Sequence, residues 1–402
     1  MKILQLCNKV PYPPNDGGSI AVFNLTVSFS DNDNQVTVLA MITDKHRGSP
    51  EDIPEKYRKR IDFHFVPVDT RIKPLNLLMN LFFSSKPYNA VRFVNARFNA
   101  YLQTLLTSDN FDVVQLEGLY LTPYIRSIRE RSSATISYRA HNVEHEIWAR
   151  SAETASNPLK KFYFGILANR LERFEKQMIN TYDLLIPITD RDAQKLNEMG
   201  NIKPVKVSQT GIPEFVFQGT SSADNRNSLF YIGSLDWIPN QQGLKWFVRN
   251  VWSEIRLLMP ELTFHVAGRN APSWFGDFCA ENKIEYHGEV ENAYAFYDRY
   301  RIMIVPLFAG SGMRIKIIEA MARSKVIITT SVGAEGLGLV NREHAIIADE
   351  ASGMKKAITQ LLENRDFFAK LEKNSYNFVK THYSNEKTGK ELFRFYEQYL
   401  KK

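Results

Sequence analysis

Two successive series of short apolar runs constrain the fold of this 402-residue chain more than any other feature. Several of the runs lack the alternation of polar and apolar residues, which is typical of strands buried on both faces of a parallel sheet. Amphipathic segments with helical periodicity separate the runs, so each series predicts a doubly wound α/β domain. The predicted strands are Ile3–Cys7, Val36–Met41, Ile61–Val66, Val113–Leu116, Thr135–Tyr138 and Leu184–Pro187, followed by Leu229–Ile232, Leu262–Val266, Met303–Val305, Val326–Thr329 and Ala345–Ile347.

The boundary between the two predicted domains lies within residues 211–227. Residues 219–228 contain no apolar side chain larger than alanine, which is typical of a linker or loop. A last helix, predicted over about Lys387–Leu400, carries an apolar face that must pack against another surface. Because ligands of parallel sheets bind outside the carboxyl ends of the strands, we expect function in the loops that follow strands, at a cleft between the domains.

Composition excludes several classes of protein. Hydrophobic residues make up 44% of the chain and charged residues 24%, which excludes disordered, collagen-like and disulfide-scaffold proteins. The longest nearly apolar run, Leu75–Phe83, is far shorter than a membrane-spanning helix, and no signal-peptide core follows the N-terminus. We therefore expect a cytoplasmic protein. The two cysteines, Cys7 and Cys279, lie too far apart in the sequence to suggest a metal site.

The formal net charge of +7 is only mildly basic. Nucleic-acid binding would require a denser stripe of lysine and arginine, so we expect no nucleic-acid partner. An excess of this size fits anionic small molecules or a membrane surface.

Paired glycines open the first predicted helix. Gly17 and Gly18 follow the loop after the first strand. Glycines at a helix start let backbone N–H groups approach an anion. The alternative interpretation is a plain tight turn.

A polar segment, residues 139–145, follows the strand Thr135–Tyr138. Its pattern His141-x-x-Glu144-His145 matches that of the inverted zinc peptidases, which would need both histidines on one helix face and a third ligand. The alternative is a single histidine, His141, at the cleft, with the next residues beginning a helix.

Two polar residues in these loops are candidates for contact with an acceptor. Glu117 ends the strand Val113–Leu116 and could hold an acceptor hydroxyl or act as a base. A capping or structural role is the alternative. Asn142 is the second candidate.

Residues 305–337 carry the strongest indication of a binding site. Gly310 and Gly312 lie in a flexible turn before a helix predicted from about Met313, and their N–H groups form an anion site. Arg314 and Lys316 fall in the first turn, where cations oppose the helix dipole unless a bound anion offsets them.

Glu319 lies three residues after Lys316, on the same face of that helix. A carboxylate near bound phosphates makes sense if it reaches a sugar diol such as a ribose; the alternative is a surface Lys–Glu pair. Gly233, Gly268, Arg269 and Glu335 follow other strands of the second series and are expected to line the same cleft.

With these motifs, the chain resembles a retaining glycosyltransferase of family 4, which has the GT-B fold of two facing Rossmann-like domains. The resemblance is carried by the paired glycines and by RAHNVE (139–144), GSLDWIPN (233–240), VAGRNAP (266–272), GSGMRIKIIEAMA (310–322) and GAEGL (333–337).

The resemblance implies transfer of a sugar from a nucleoside-diphosphate sugar to a hydroxyl acceptor with retention of configuration, without a metal or other cofactor. It implies that the last helix crosses back, which gives an N-terminal acceptor-side domain of residues 1–210 plus 385–402 and a C-terminal donor domain of residues 211–384. Glu319 would bind the nucleotide ribose and His141 would approach the donor sugar. The implied donor-binding residues are Gly17, Gly18, Gly233, Gly268, Arg269, Gly310, Ser311, Gly312, Met313, Glu319 and Glu335.

Two departures from the family pattern affect the donor site. Ser311 stands where the family's E-x7-E motif has its first acid, and Ser234 stands where many members have a basic residue. Many members also have a lysine a few residues after that position. We hypothesise that Arg314 and Lys316 replace the lost positive charges and, with His141 and Glu319, form the catalytic set.

The acceptor is less constrained by the sequence. Residues 71–92 and 159–179 combine basic and apolar side chains, which predicts weak peripheral contact with the inner face of the membrane and a lipid-linked or polysaccharide acceptor. Helices packed on the sheet with solvated charges are the alternative. Competing functions are a nucleotide-sugar epimerase of the same fold, a zinc hydrolase, and a non-catalytic carbohydrate- or nucleotide-binding protein.

Overall fold

The computed structural model describes residues 1–32, 34–155, 157–218, 227–310 and 313–400. The chain forms two compact units. Unit 1 consists of Met1–Gly211 and Asn385–Lys402, and unit 2 consists of Ile212–Ser384. The expected boundary between residues 210 and 211 differs from this division by one residue.

Unit 1 is built on a six-stranded parallel sheet with the strand order β3-β2-β1-β4-β5-β6. This is the strand order of a Rossmann-like doubly wound sheet. All five residues of β4 are buried, as expected for a strand covered on both faces. The strands are β1 (Lys2–Cys7), β2 (Gln35–Ile42), β3 (Ile61–Pro67), β4 (Val113–Glu117), β5 (Thr135–Ala140) and β6 (Leu184–Pro187).

Helices connect these strands and cover the sheet. Four of them begin at a side chain that accepts a hydrogen bond from a backbone N–H of the first turn: Asp16, Asn95, Asn157 and Thr189. The helices are α1 (Gly17–Asp31), α2 (Glu55–Arg58), α3 (Pro74–Phe83), α4 (Tyr88–Val91), α5 (Ala96–Ser108), α6 (Ile125–Arg131), α7 (Glu144–Thr154), α8 (Pro158–Met178) and α9 (Asp190–Glu198), with 3-10 turns at Pro50–Asp52 and Leu119–Tyr124.

Unit 2 repeats the same topology. Its sheet is parallel with the order β12-β11-β10-β7-β8-β9, which is the order of unit 1 when the strands are renumbered from the start of the unit. Its strands are β7 (Ser228–Ile232), β8 (Thr263–Ala267), β9 (Glu285–Tyr286), β10 (Ile302–Val305), β11 (Val326–Thr329) and β12 (Ile346–Ile347).

The helices of unit 2 pack their apolar faces on this sheet around a core that includes Trp252 and Phe264. They are α10 (Ile238–Phe247), α11 (Ser253–Leu258), α12 (Phe275–Glu281), α13 (Ala293–Asp298), α14 (Ile315–Ala322), α15 (Ser331–Ala334), α16 (Ala351–Glu363) and α17 (Arg365–Tyr383), with a 3-10 turn at Glu214–Gln218 and a π-helical turn at Val248–Trp252.

The last helix, α18 (Asn385–Tyr399), belongs to unit 1 and packs on α1. Leu392 and Tyr396 of α18 are fully buried in the unit 1 core. Gly389 contacts Ser28 so closely that a Cβ would overlap its hydroxyl. The apolar face of this helix is therefore covered by unit 1.

The predicted strands are all present, with ends shifted by at most two residues. β9 was not predicted, because its two residues, Glu285 and Tyr286, do not form an apolar run. The predicted linker 219–228 lies largely outside the described residues. Among the described residues, no helix has both the length and the apolar content that crossing a membrane requires.

Candidate functional site

A buried polar cluster lies at the carboxyl ends of β4 and β5 in unit 1. The side chain of Glu117 is at its centre and is almost completely buried. Its Oε2 lies 2.6 Å from Nε2 of His141 and 3.4 Å from Nη1 of Arg139. Its Oε1 accepts hydrogen bonds from Gln115 and, at 2.6 Å, from Nε2 of Gln5. The carboxylate is thus surrounded by donors.

Electrostatics keep this carboxylate charged. Burial alone would raise the pKa of Glu117, but the charge of Arg139 and the hydrogen bond with His141 outweigh it and lower that pKa to about 2. Burial lowers the pKa of His141, although the hydrogen bond with Glu117 opposes that effect. At neutral pH the imidazole is therefore neutral, and its Nε2–H donates to Glu117.

This assignment leaves Nδ1 of His141 as an acceptor. No partner for Nδ1 is found among the residues that the structure describes, and 17% of the side chain is exposed. Glu117 thus fixes the tautomer and the direction of the ring, while Nδ1 can accept a hydrogen bond from a hydroxyl group.

The cluster extends to the last helix. Tyr396 of α18 donates from its hydroxyl to Oε1 of Gln115 and lies 2.9 Å from the hydroxyl of Ser137. Gln115 in turn donates to Glu117, which holds His141. A continuous chain of hydrogen bonds therefore connects α18 to His141.

The structure corrects the expectation that Glu117 holds an acceptor hydroxyl. Its carboxylate is buried and already accepts from several protein donors, so the structural alternative is the one that the geometry favours. Asn142 is partly exposed and forms a side-chain hydrogen bond with Glu144. Asn142 stays a candidate for contact with an acceptor.

The inverted zinc-peptidase pattern is not supported by the geometry. Nδ1 of His145 lies 2.6 Å from Oε2 of Glu175, whereas His141 is held by Glu117. Glu175 also accepts from the backbone N–H groups of Glu144 and His145, so it neutralises the start of α7. Glu144 accepts at 2.7 Å from the hydroxyl of Tyr120 rather than facing solvent.

The paired glycines lie at the start of α1, where Gly17 is exposed. Asp16 caps the helix at Ser19 and forms an ion pair of 2.6 Å with Lys9. Burial raises the pKa of Asp16, but His46 and Lys9 outweigh it and hold that pKa far below its ordinary value. A Cβ at Gly18 would lie 3.0 Å from Nζ of Lys9, so the small residue leaves room for that side chain.

In unit 2, the ends of β7 and β8 meet at a close backbone contact. A Cβ on Gly268 would overlap the carbonyl oxygen of Gly233, so a larger residue would separate the two strand ends. Arg269 donates from Nε to the hydroxyl of Ser234 at 3.0 Å. A guanidinium group therefore lies beside Ser234, where the resemblance led us to expect a basic residue.

Lys316 of α14 reaches the same strand end. Its Nζ lies 3.0 Å from the hydroxyl of Tyr231 and 3.3 Å from Oδ1 of Asn240, and a Cβ on Gly233 would lie 3.1 Å from it. Burial, and then the charge of Arg314, lower the pKa of Lys316 to about 7. No bond between Lys316 and Glu319 is found among the described residues, so the surface-pair alternative is wrong.

Glu319 lies one turn further along α14. Its Oε1 accepts at 2.9 Å from the hydroxyl of Tyr294 in α13. Burial raises the pKa of Glu319 to about 7, and the bond from Tyr294 only partly opposes this rise. Both ionisable groups of α14 therefore titrate near neutral pH.

The turn before α14 is shaped by Gly310 and Trp237. Gly310 has φ +128°, a conformation that favours glycine, and a Cβ there would clash with the ring of Trp237. α14 begins at Ile315 rather than at Met313, with Arg314, 5% exposed, at its N-cap. The predicted donor residues Ser311 and Gly312 lie outside the described residues.

Glu335 follows α15 and is exposed. The structure therefore groups Gly233, Gly268, Arg269 and Lys316 at the ends of β7 and β8, and it places Gly310 and Arg314 at the start of α14. Sequence reasoning missed the hydroxyl partners Tyr231 and Tyr294, and the residues that support His141: Gln5, Gln115, Ser137 and Tyr396. Gln115 and Ser137 could have been found from the sequence, because polar residues recur at every second position of β4 and β5, which are otherwise apolar.

Known proteins resemble this chain in sequence and in fold. Residues 226–364 match the profile of the family of glycosyl transferases group 1. This match covers most of unit 2. The chain is also 22% identical, over 98% of its length and 99% of the relative's, to an uncharacterized 44.6 kDa protein in the cps region of Klebsiella pneumoniae.

Solved structures resemble the whole chain. Anabaena HepE in complex with UDP superposes with a TM-score of 0.70 at 13% identity, over 99% of this chain and 100% of HepE. Sucrose-phosphate synthase from Thermosynechococcus elongatus gives 0.72 at 14% identity over 99% of both chains. Staphylococcus aureus TarM gives 0.68 at 11% identity over 98% of both. These likenesses confirm the GT-B fold that the sequence predicts.

Proposed function

We propose that this protein is a group 1 glycosyltransferase that moves a sugar from a nucleoside-diphosphate sugar to a hydroxyl acceptor. The family match of unit 2 and the GT-B fold support this class of enzyme. We further propose that the reaction retains the anomeric configuration and that its leaving group is stabilised by protein cations rather than by a metal ion.

The observation that carries the proposal is the pair of neighbouring cations at α14, of which Arg314 is buried and Lys316 partly buried. The charge of Arg314 lowers the pKa of Lys316, so each cation destabilises the other in the unliganded protein. Both lie near the carboxyl ends of parallel strands, which is where such sheets bind ligands. A bound diphosphate would offset the repulsion between the two cations, because it offers negative charge to both.

Glu319 suits the ribose of the same donor. Oε1 is engaged by Tyr294, and no partner for Oε2 is found among the described residues. A carboxyl group with a pKa of about 7 can donate or accept a hydrogen bond at neutral pH, so it can bind a diol without strong repulsion of the phosphates.

In this mechanism, cations aimed at the departing diphosphate stabilise its developing charge. Removing one such donor costs an enzyme roughly 10²–10³-fold in kcat. His141 would accept a hydrogen bond from a donor-sugar hydroxyl through Nδ1 while Glu117 holds the ring. Because the imidazole is neutral, it orients the sugar without adding a charge near the anomeric carbon.

The donor proposal can be tested by calorimetric titration with UDP, which is bound in the HepE structure. We expect one site per chain, unaffected by EDTA. Lys316→Met should weaken binding at least about tenfold, as expected when a charged hydrogen bond to phosphate is lost. Lys316→Arg keeps the charge and should lose much less. Equal affinity in wild type and Lys316→Met would contradict the role of this cation.

Transfer itself requires a second assay. Nuclear magnetic resonance of the product made from a UDP-sugar would report the configuration of the new bond. Conversion of the UDP-sugar into an isomer when no acceptor is present would instead indicate an epimerase. Binding of UDP without any turnover would indicate a non-catalytic nucleotide-binding protein.

We propose that the acceptor is a lipid-linked or polysaccharide glycan, which is consistent with a relative in a cps region. We also propose weak peripheral contact with the membrane through α3. None of the ten residues of α3 is buried, and five large apolar side chains are more than half exposed: Leu75, Leu78, Met79, Phe82 and Phe83. An exposed apolar set of this kind marks an interaction surface.

The start of α8 carries a second set of exposed apolar side chains. Leu159 and Phe162 are 80% and 68% exposed, and Lys160 and Lys161 lie between them. Arg170 of α8 holds α3 by donating to two backbone carbonyls near its end. Exposed apolar residues with flanking lysines suit an anionic lipid surface.

Sedimentation with vesicles tests this contact. We expect binding to vesicles that contain phosphatidylglycerol, weaker binding at high salt, and little binding to neutral phosphatidylcholine. Phe82→Ser combined with Phe83→Ser should abolish it, whereas Leu257→Ser combined with Leu258→Ser, exposed in unit 2, should not. Equal binding by both double variants would contradict the proposed surface.

A further inference from the structure

Two histidines and a carboxylate converge at the edge of the unit 2 sheet, away from the groups used above. His265 of β8 pairs in register with Glu285 of β9, and His287 follows β9 directly. Nδ1 of His265 lies 3.2 Å from Nε2 of His287 and 3.1 Å from Oε2 of Glu285. These three ligand atoms lie within 4.8 Å of one another.

The separations of 3.1 and 3.2 Å are within a few tenths of an ångström of those between ligand atoms around a small metal ion. Ligands bound at about 2.0–2.2 Å in tetrahedral geometry stand about 3.3–3.6 Å apart. Two imidazoles and a carboxylate favour a zinc-type divalent ion over magnesium or calcium, which prefer oxygen ligands. We propose that His265, Glu285 and His287 bind one divalent transition-metal ion such as Zn²⁺.

The surroundings of His265 support this role. Its Nε2 lies 2.8 Å from the hydroxyl of Thr263, and an N–H at Nε2 would leave Nδ1 free for a metal. The ring stacks on Tyr300 with a separation of 4.2 Å between ring centroids. Both the tautomer and the plane of the central ligand are thus constrained before an ion binds.

The ligand atoms of these three side chains would also be stabilised by a cation between them. If Nδ1 of His265 carries no proton, it faces an imidazole nitrogen and a carboxylate oxygen, so one cation among them would stabilise all three. A proton shared among them is the alternative.

A metal here would act on structure. β9 has only two residues and lies at the sheet edge, so few ladder hydrogen bonds hold it. A metal ion bound by His265, Glu285 and His287 would tie β8 to β9 and so close the loop of residues 268–284 between them. The carbonyl of Gly288, next to His287, accepts at 2.9 Å from the N–H of Gly268. The ion would therefore steady the loop that carries Gly268 and Arg269.

The test uses the full chain without an affinity tag, stripped of metal and titrated with Co²⁺ and then Zn²⁺. We expect one Co²⁺ per chain with the visible absorption of a four- or five-coordinate site, displaced by Zn²⁺. His287→Gln should abolish this absorption. Thr263→Val should weaken affinity about tenfold, as for other groups that orient a metal ligand. His344→Gln, which changes another histidine near a glutamate, should have no effect.

Two results would overturn the proposal. One is the absence of stoichiometric Co²⁺ binding by the wild-type chain, which would indicate the shared proton. The other is unchanged binding in His287→Gln, whose fold is checked by circular dichroism. UDP affinity is measured on the same stripped samples, so failure of the metal site and failure of the donor site are distinguishable.

Discussion

Units 1 and 2 share one strand order, but they keep their site carboxylates in opposite electrostatic states. In unit 1, the protein surrounds Glu117 with donors and a cation, and its pKa is lowered to about 2. In unit 2, Glu319 receives one hydroxyl, and burial raises its pKa to about 7. Topology therefore does not determine the electrostatics of the site.

The difference separates supporting residues from ligand-binding residues. A group whose charge is already compensated by the protein, such as Glu117, has little to gain from a ligand. Glu319 and Lys316 are partly buried, and among the described residues no opposite charge shifts the pKa of either, so the unliganded protein bears that cost. A substrate that supplies the missing charges and hydrogen bonds can recover it.

The largest effect is expected when the charge of Glu117 is removed. Glu117→Gln leaves the buried Arg139 without its counter-charge and should lower the free energy of unfolding by about 3–5 kcal/mol. At pH 4.5, where the folded protein keeps Glu319 protonated, Glu319→Gln should change it by less than about 1 kcal/mol, because a neutral carboxyl and an amide make similar bonds there. Urea denaturation of both variants gives the comparison. Similar losses would show that the two carboxylates are not in different states.

The next effect concerns activity. His141→Ala should lower kcat by roughly 10²–10³-fold, as for other hydrogen bonds made in a transition state, and leave the Kd for UDP unchanged. His64→Ala, at a surface histidine of unit 1 that bonds to Tyr101, is the matched control. Steady-state kinetics and UDP titration separate the two quantities. A parallel loss of UDP affinity would mean that His141 belongs to the nucleotide site.

The pH dependence of stability sharpens the same contrast. Glu319 binds its proton more tightly when folded, so its contribution should fall by up to about 1.4 kcal/mol per pH unit as pH rises from 4.5 to 7. Glu117 binds its proton less tightly when folded, so its contribution is present above pH 4.5 and is lost as pH falls towards 2.

Stability curves of wild type minus each glutamine variant should therefore have slopes of opposite sign. Urea midpoints at a series of pH values give these curves. A flat difference curve for Glu319→Gln between pH 4.5 and 7 would mean that its pKa is not raised by folding.

The smallest expected effect tests the support of His141 from α18. Tyr396→Phe removes the two buried hydrogen bonds of this hydroxyl and should cost about 1–2 kcal/mol of stability, with a modest loss of kcat. Tyr399→Phe, on the exposed side of the same helix, should change neither. Thermal unfolding and kinetics of both variants provide the measurement. Equal behaviour of the two would show that the hydrogen-bond chain does not reach the site.

Much of the fold was predictable because its strands are continuous apolar runs. The exception, β9, lies at a sheet edge and consists of Glu285 and Tyr286, which show no such pattern. The helix start at Ile315 was placed two residues too early, because helix ends depend on local backbone geometry as well as on residue type.

The site was predictable only in part. Residues after strands, such as His141 and Lys316, could be found because parallel sheets present those positions to ligands. Tyr294, which bonds to Glu319, and Tyr396, which bonds to Gln115, could not be found, since each comes from a helix distant in sequence and no local pattern indicates which helices meet. Glu117 was found, but its role was decided by burial, which depends on the whole unit.

The position of α18 has a consequence for how the chain is made. Most of unit 1 leaves the ribosome before unit 2, yet it lacks a buried part of its core until Leu392 and Tyr396 have been synthesised. Unit 2 is continuous, so it can fold while its predecessor is still incomplete. A ribosome that stops shortly before residue 385 would therefore release a chain whose earliest-made half is the defective one.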